Sequence, residues 1–386
     1  MQKHLFVLLG ILIGSPAACL VQAQDESIYK STAEIESDTS RDNLHFAAWQ
    51  FSFIGEYQKS MIAFDKAVGN YTDEKLKGLP KHLTPKPALE YILDQSRNYQ
   101  IVIINEAHHQ PLHRVFTESM LEGLYRNGFR YLGLEALAED SLINIRKYPL
   151  GTDGYYTSEP QFGNLLRKAL DLGFTVFGYE AEGNGSVREK GQAANIYKRL
   201  QRDSNAKILL HCGFSHVLEG SVPNWGKAMA GELKTLAGID PLTIDQVELT
   251  EHSLEKHESE YYIPEEGMEQ AVVFTDSRGK PVFLNSDSTQ TDLQVMHPRT
   301  NFEQGRPNWL VRDSFKFYSL DTHLADIKLP CLVRAYRANE DTESVPMDAV
   351  EIAGPQRKSL ILPPGEYQLS ITDPNKKVFS RSISVK

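Results

Sequence analysis

Four stretches of the sequence gather the residue types that do chemistry. Asn105-Glu106-Ala107-His108-His109 follows a β-branched run, and Glu135 closes Leu132-Gly133-Leu134. Glu180 and Glu182 follow Gly178-Tyr179, and His211 precedes Gly213-Phe214-Ser215-His216. A Glu and a His converging from different segments can share one water, one taking its proton while the other orients it. Two His with one or two Glu can equally hold a divalent metal with an open position. Other chemistries find less support. The spacing is not H-E-x-x-H, so a helix-borne zinc protease site is not indicated. No G-x-S-x-G elbow occurs, and Gly213-Phe214-Ser215-His216 lacks the closing glycine. Cys212 lies in an apolar run, where a buried inert thiol is expected. Gly183-Asn184-Gly185-Ser186 could cradle a phosphate, but Arg188 stands where a dinucleotide fingerprint needs its third glycine. Arg188 reads instead as an inward-facing cation, able to pair with Glu135 or Glu106 or to stabilise an oxyanion. His113 and Arg114 read as solvent-facing or supporting groups.

These residues need elements to position them. Helical patterns at 88–97, 112–128, 162–173, 187–202 and 225–236 alternate with apolar runs at 100–104, 131–134, 174–179, 208–214 and 242–249. Repeated strand–helix units with nearly unbroken apolar strands predict an α/β fold, a parallel sheet covered by helices on both faces. Such sheets bind ligands outside the carboxyl ends of their strands, where each of the four stretches falls. Residues 42–68 predict two short packed helices with a turn at Gly55-Glu56, and 79–87 reads as a linker. Residues 270–300 read as extra β-structure with a turn at Arg278-Gly279. Five short runs after residue 318 predict a small antiparallel, immunoglobulin-like sandwich.

The length of 386 residues and a 41% hydrophobic content suit two or three globular domains. Lys+Arg number 41 against Asp+Glu 51, for a net charge of −10, which argues against a nucleic-acid binder. Residues 1–23 read as a cleaved secretory signal ending Val21-Gln22-Ala23, with a basic start and an apolar run too short to span a bilayer. Lipid attachment at Cys19 is disfavoured by Pro16, where such signals carry Leu. Cleavage after Ala23 predicts an exported protein, periplasmic or secreted, with no transmembrane segment. Cys212 and Cys331 then allow a single bridge. The resulting division is a signal peptide at 1–23, a helical segment at 24–86, an α/β domain at 87–317 and a β-sandwich at 318–386.

Asn105-Glu106-Ala107-His108-His109, the Tyr131–Glu135 strand end, Arg188 opening a helix with Ala193-Ala194-Asn195-Ile196, and Gly213-Phe214-Ser215-His216-Val217 resemble, in this order, the erythromycin esterase / ChaN / Tiki superfamily. The resemblance spans residues 100–220. It implies Glu106, His108 or His109, Glu135, Arg188 and His216 as the catalytic site, with Glu106, His108, Glu135 and His216 as candidate metal ligands. Asn105 departs from the family's usual Gly. Members include metal-independent esterases, metal-dependent proteases and haem-binding lipoproteins, so fold and site transfer better than reaction. The expected function is an exported hydrolase of a small-molecule or peptide ester or amide, acting through a His/Glu-activated water with or without the help of a divalent metal. The alternatives are a haem- or transition-metal-binding protein using the same His, and a non-catalytic relative.

Overall fold

Six apolar runs form one parallel sheet, ordered from edge to edge Leu293–Gln294, Leu242–Asp245, Ile101–Glu106, Ile208–Gly213, Tyr131–Leu134 and Thr175–Gly178. This computed structural model describes residues 28–38, 43–69, 82–138, 141–223, 225–284, 290–354 and 358–386. The expected signal, with Cys19, lies outside them, as does Leu79-Pro80 of the expected linker. Side chains alternate across a strand, so Val102 and Ile104 enter one core while Ile101 and Ile103 enter the other. Helices Ala88–Ser96, Leu112–Arg126 and Pro160–Leu172 close the first core. Ser186–Arg202 and Met229–Ala237 close the second. Burial on both faces is the reason these strands read as unbroken apolar runs. The same alternation turns Glu106 toward helix Leu112–Arg126, which the site exploits.

Two segments depart from expectation. Thr84–Pro87, read as linker, is a strand paired antiparallel with Val272–Thr275. Its prolines are accommodated because the sheet has only two strands and leaves an edge free. The helix expected from residue 225 starts at Met229, because Gly226–Lys227 pairs with Ser221–Val222 in a small hairpin. Among the described residues no helix is long and apolar enough to cross a membrane.

Helices Leu44–Phe53 and Tyr57–Val68 pack together across a turn at Gly55, whose φ of 74° suits glycine. A side-chain carbon at Gly55 would also collide with the Ala349 carbonyl. At the other end of the chain, Cys331–Arg337, Asp348–Ile352, Gly365–Thr372 and Val378–Val385 form a four-stranded antiparallel sheet. Lys316–Tyr318 pairs with Leu360–Leu362 beside it, so this β-module begins two residues before 318. It has its own core and is tied to the α/β domain by the buried Arg306–Asp348 pair at 2.5 Å and by Arg167–Glu340 at 2.5 Å. Cys212 and Cys331 are both free and lie in different cores, so the bridge that the cysteine count allowed does not form.

Candidate active site

Glu106 ends the central strand and is almost completely buried. Its carboxylate is saturated. Oε1 accepts from His108 Nδ1 at 2.8 Å and Arg114 Nη2 at 2.7 Å; Oε2 accepts from Arg114 Nε at 2.7 Å and His211 Nε2 at 2.8 Å. Burial opposes its charge, yet Arg114 and the two imidazoles outweigh that and hold the carboxyl well below its ordinary range. Of the two readings of Arg114, solvent-facing or supporting, the structure bears out the second: it is fully buried and is the fixed cation that holds Glu106. Its Nη1 also reaches Glu159 at 3.1 Å, which caps helix Pro160–Leu172 by accepting the Phe162 N–H. Because a carboxylate only accepts, His108 carries a proton on Nδ1 and presents Nε2 as a lone pair.

Glu135, just beyond strand Tyr131–Leu134, faces that lone pair. Its Oε2 accepts the Gly213 N–H at 2.6 Å and its Oε1 accepts Arg188 Nη2 at 2.5 Å. The Gly213 backbone sits between the two groups. A side-chain carbon there would lie 2.6 Å from His108 Nε2 and 3.3 Å from Glu135 Oε2, so only glycine leaves the base accessible. Against the cost of burial, the Arg188 guanidinium and the Gly213 N–H hold the Glu135 carboxyl below its usual value. Arg188 pairs with Glu135 and with Glu180 (Nε to Oε1 3.0 Å, Nη2 to Oε2 2.5 Å), and not with Glu106. Its Nη1 donates to His216 Nε2 at 2.7 Å. A guanidinium can only donate, so His216 keeps its proton on Nδ1 and gives it to Glu189 at 2.7 Å. Among the described residues, four of the five N–H donors of Arg188 are engaged, and the fifth, on Nη1, has no acceptor.

The adjacent histidines diverge. His109 stacks on Phe64 at 3.7 Å and lines a separate small cavity with Tyr57, Met61, Gln110, Glu251 and Trp309. Burial pushes its ring well below the ordinary histidine value. His108 is therefore the imidazole at the site. Tyr156 stacks on it at 3.9 Å, Phe214 meets it edge-on at 5.2 Å, and Trp49 from the N-terminal helices completes the roof. Asn105, where the resembling family has Gly, braces three strand ends. Its amide donates to Phe214 O at 2.9 Å and Asp245 Oδ1 at 2.7 Å and accepts the Gln246 N–H at 2.9 Å. Phe214 is thereby held at a φ of 42°, a strained conformation beside the base.

Glu106, His108, Glu135 and His216, the candidate metal ligands, do not fit a metal ion. Both Glu106 oxygens hold two donors each, Glu135 holds a backbone N–H and a guanidinium, and His216 faces the Arg188 cation. Among the described residues no group of three or more His, Cys, Asp or Glu has metal-holding geometry. Of the two imidazoles, His216 has its Nε2 taken by Arg188, while Tyr156 stacks on the face of the His108 ring and leaves its Nε2 in the ring plane. Cys212 sits in the core, its thiol pushed well up by burial, as expected of an inert cysteine.

No family model matches the chain, and no curated protein matches it. Two solved structures are similar in part. The type III effector HopBA1 is 12% identical with a TM-score of 0.31, over 45% of this chain and 87% of its own. A structure described as bacterial protein toxins is 14% identical with a TM-score of 0.30, over 39% of this chain and 36% of its own. Likenesses this low carry no argument about function.

Of the site residues expected from sequence, Glu106, His108, Glu135, Arg188 and His216 come together, and His109 does not. Arg114, Glu159, His211 and Glu189 complete the hydrogen-bond network and were not on that list. One signal could have exposed Arg114: it follows Glu106 by eight residues, as Arg188 follows Glu180, each arginine third in its helix. Trp49 and Tyr156 left no such signal, since neither lies at a strand end.

Proposed function

We propose that the chain is an exported hydrolase of the erythromycin esterase / ChaN / Tiki-like type, cleaving esters or amides with a metal-independent water nucleophile. The observation that supports this reading best is the His108 lone pair, oriented by the saturated Glu106 and facing Glu135 across Gly213. His108 Nε2 takes a proton as the water oxygen bonds to the carbonyl carbon, and returns it to the leaving oxygen or nitrogen as that bond breaks. Glu135 orients the water, and the free Nη1–H of Arg188 stabilises the oxyanion. Glu106 is a positioning residue, because no lone pair remains on it to accept a proton. Glu189 and His216 hold Arg188 in place.

A screen of ester and amide substrates with His108→Gln tests this. Gln can still donate to Glu106, so the fold is retained while kcat falls about 10²- to 10⁴-fold. EDTA leaves the wild-type rate unchanged. Full activity in His108→Gln, or no turnover of any ester or amide, rejects the reading, the latter in favour of a non-catalytic relative.

A further inference from the structure

A row of aromatic rings leads from the His108 imidazole out to solvent. Beyond Tyr156, Trp49 meets Tyr156 edge-on at 5.2 Å, and Phe46 and Tyr155 flank Trp49 at 4.9 and 6.0 Å. Exposure reaches 37% at Tyr155 and 52% at Phe46. Elsewhere the protein lays its own cations over rings, including Tyr125, Phe162, Phe177 and Tyr262. Among the described residues none lies over these four.

The charges beside this wall do not balance. Glu106 and Glu159 share the Arg114 guanidinium, Glu135 and Glu180 share that of Arg188, and Glu189 has only the His216 ring and a backbone N–H. Burial first, then Glu135 and Glu106, push the Tyr156 hydroxyl well above its ordinary value. His108 is 8% exposed, and its Nε2 has no partner among the described residues, so the polar end of the site awaits a ligand. Free ring faces in a negative field attract cations, and excess carboxylates repel anions.

We infer that the site takes an ester or amide bearing an alkylammonium group, which lies on Trp49, Tyr155 and Phe46 while its carbonyl reaches His108 and Arg188. This rests on the hydrolase reading above. The test compares acetylcholine with 3,3-dimethylbutyl acetate, which has the same shape without the charge. It also compares binding of choline with 3,3-dimethylbutan-1-ol by NMR titration, which needs no turnover. The charged ester is favoured about 2- to 30-fold in kcat/KM, the charged alcohol by a similar factor in Kd. In Trp49→Leu/Tyr155→Leu, shown folded by its melting curve, both ratios fall to near one. Equal kcat/KM for the two esters overturns the inference and leaves the hydrolase reading standing. If neither ester is cleaved, tighter binding of choline sustains the alkylammonium preference and equal binding overturns it, while the hydrolase reading is decided by the wider ester and amide screen.

Discussion

Glu106 and Glu180 each lie at the carboxyl end of a parallel strand, and each meets an arginine eight residues on, third in the following helix. The two pairs nevertheless occupy different worlds. Arg114 is completely buried and closes around a carboxylate whose every lone pair is taken. Arg188 is about a quarter exposed, its partner Glu180 is 43% exposed at the side chain, and it keeps a donor in reserve. One unit is sealed and positions the base. The other stands at the rim, where a substrate can reach it. Local pattern thus does not decide between structure and chemistry; what decides is whether the last donor is already spent.

Several experiments would break or sharpen this contrast. The largest effect is expected from Arg114→Met, which leaves Glu106 buried without its cation. It should cost about 3–5 kcal/mol in urea unfolding, and a cost below about 1 kcal/mol would erase the distinction. Arg188→Gln should change stability by about 1 kcal/mol or less while lowering turnover about 10²- to 10³-fold. Acid should act on the sealed side. Burial holds His297 at about 3 and keeps His109 and His113 well below their ordinary value. Below about pH 6.5 the unfolded chain binds protons that these rings refuse in the fold, so stability falls as pH drops from 6.5 toward 3. His297 alone accounts for about 2 kcal/mol at pH 5. Glu106 adds a loss only at lower pH, as its depressed folded value is crossed. Denaturant midpoints that stay flat between pH 7.5 and 5 would contradict this. The smallest change is Asn105→Gly, which removes the brace on Phe214 and Asp245 and should cost about 1–2 kcal/mol.

Much of the architecture was legible because it follows from periodicity. Tyr131–Leu134 and the helices around Ala88–Ser96, Leu112–Arg126 and Ser186–Arg202 appear where apolar spacing put them, since burial on both faces leaves no other pattern for such strands. Glu106, Glu135, Arg188 and His216 were legible because strand ends in a parallel sheet share an edge. What stayed hidden depends on direction rather than spacing. His108 and His109 are neighbours that face apart, and no sequence rule tells which one turns toward Glu106. Arg114 looks like any helix-start charge until Glu159 and Glu106 are found on either side of it. Tyr155 and Tyr156 belong to short turns at 151–158, where no repeat exists to read. The Thr84–Pro87 strand was masked by its prolines, which ordinarily mark loops.

The N-terminal segment that supplies Trp49 is also fastened to the far end of the chain. The Thr32 N–H bonds to Glu351 across 319 residues, and Lys358 pairs with Glu56 across 302. Contacts of such separation close long loops, so the indole over His108 depends on both ends of the chain meeting. A change as remote as the one that would unfasten Glu351 from Thr32 therefore loosens the roof of a base more than two hundred residues away.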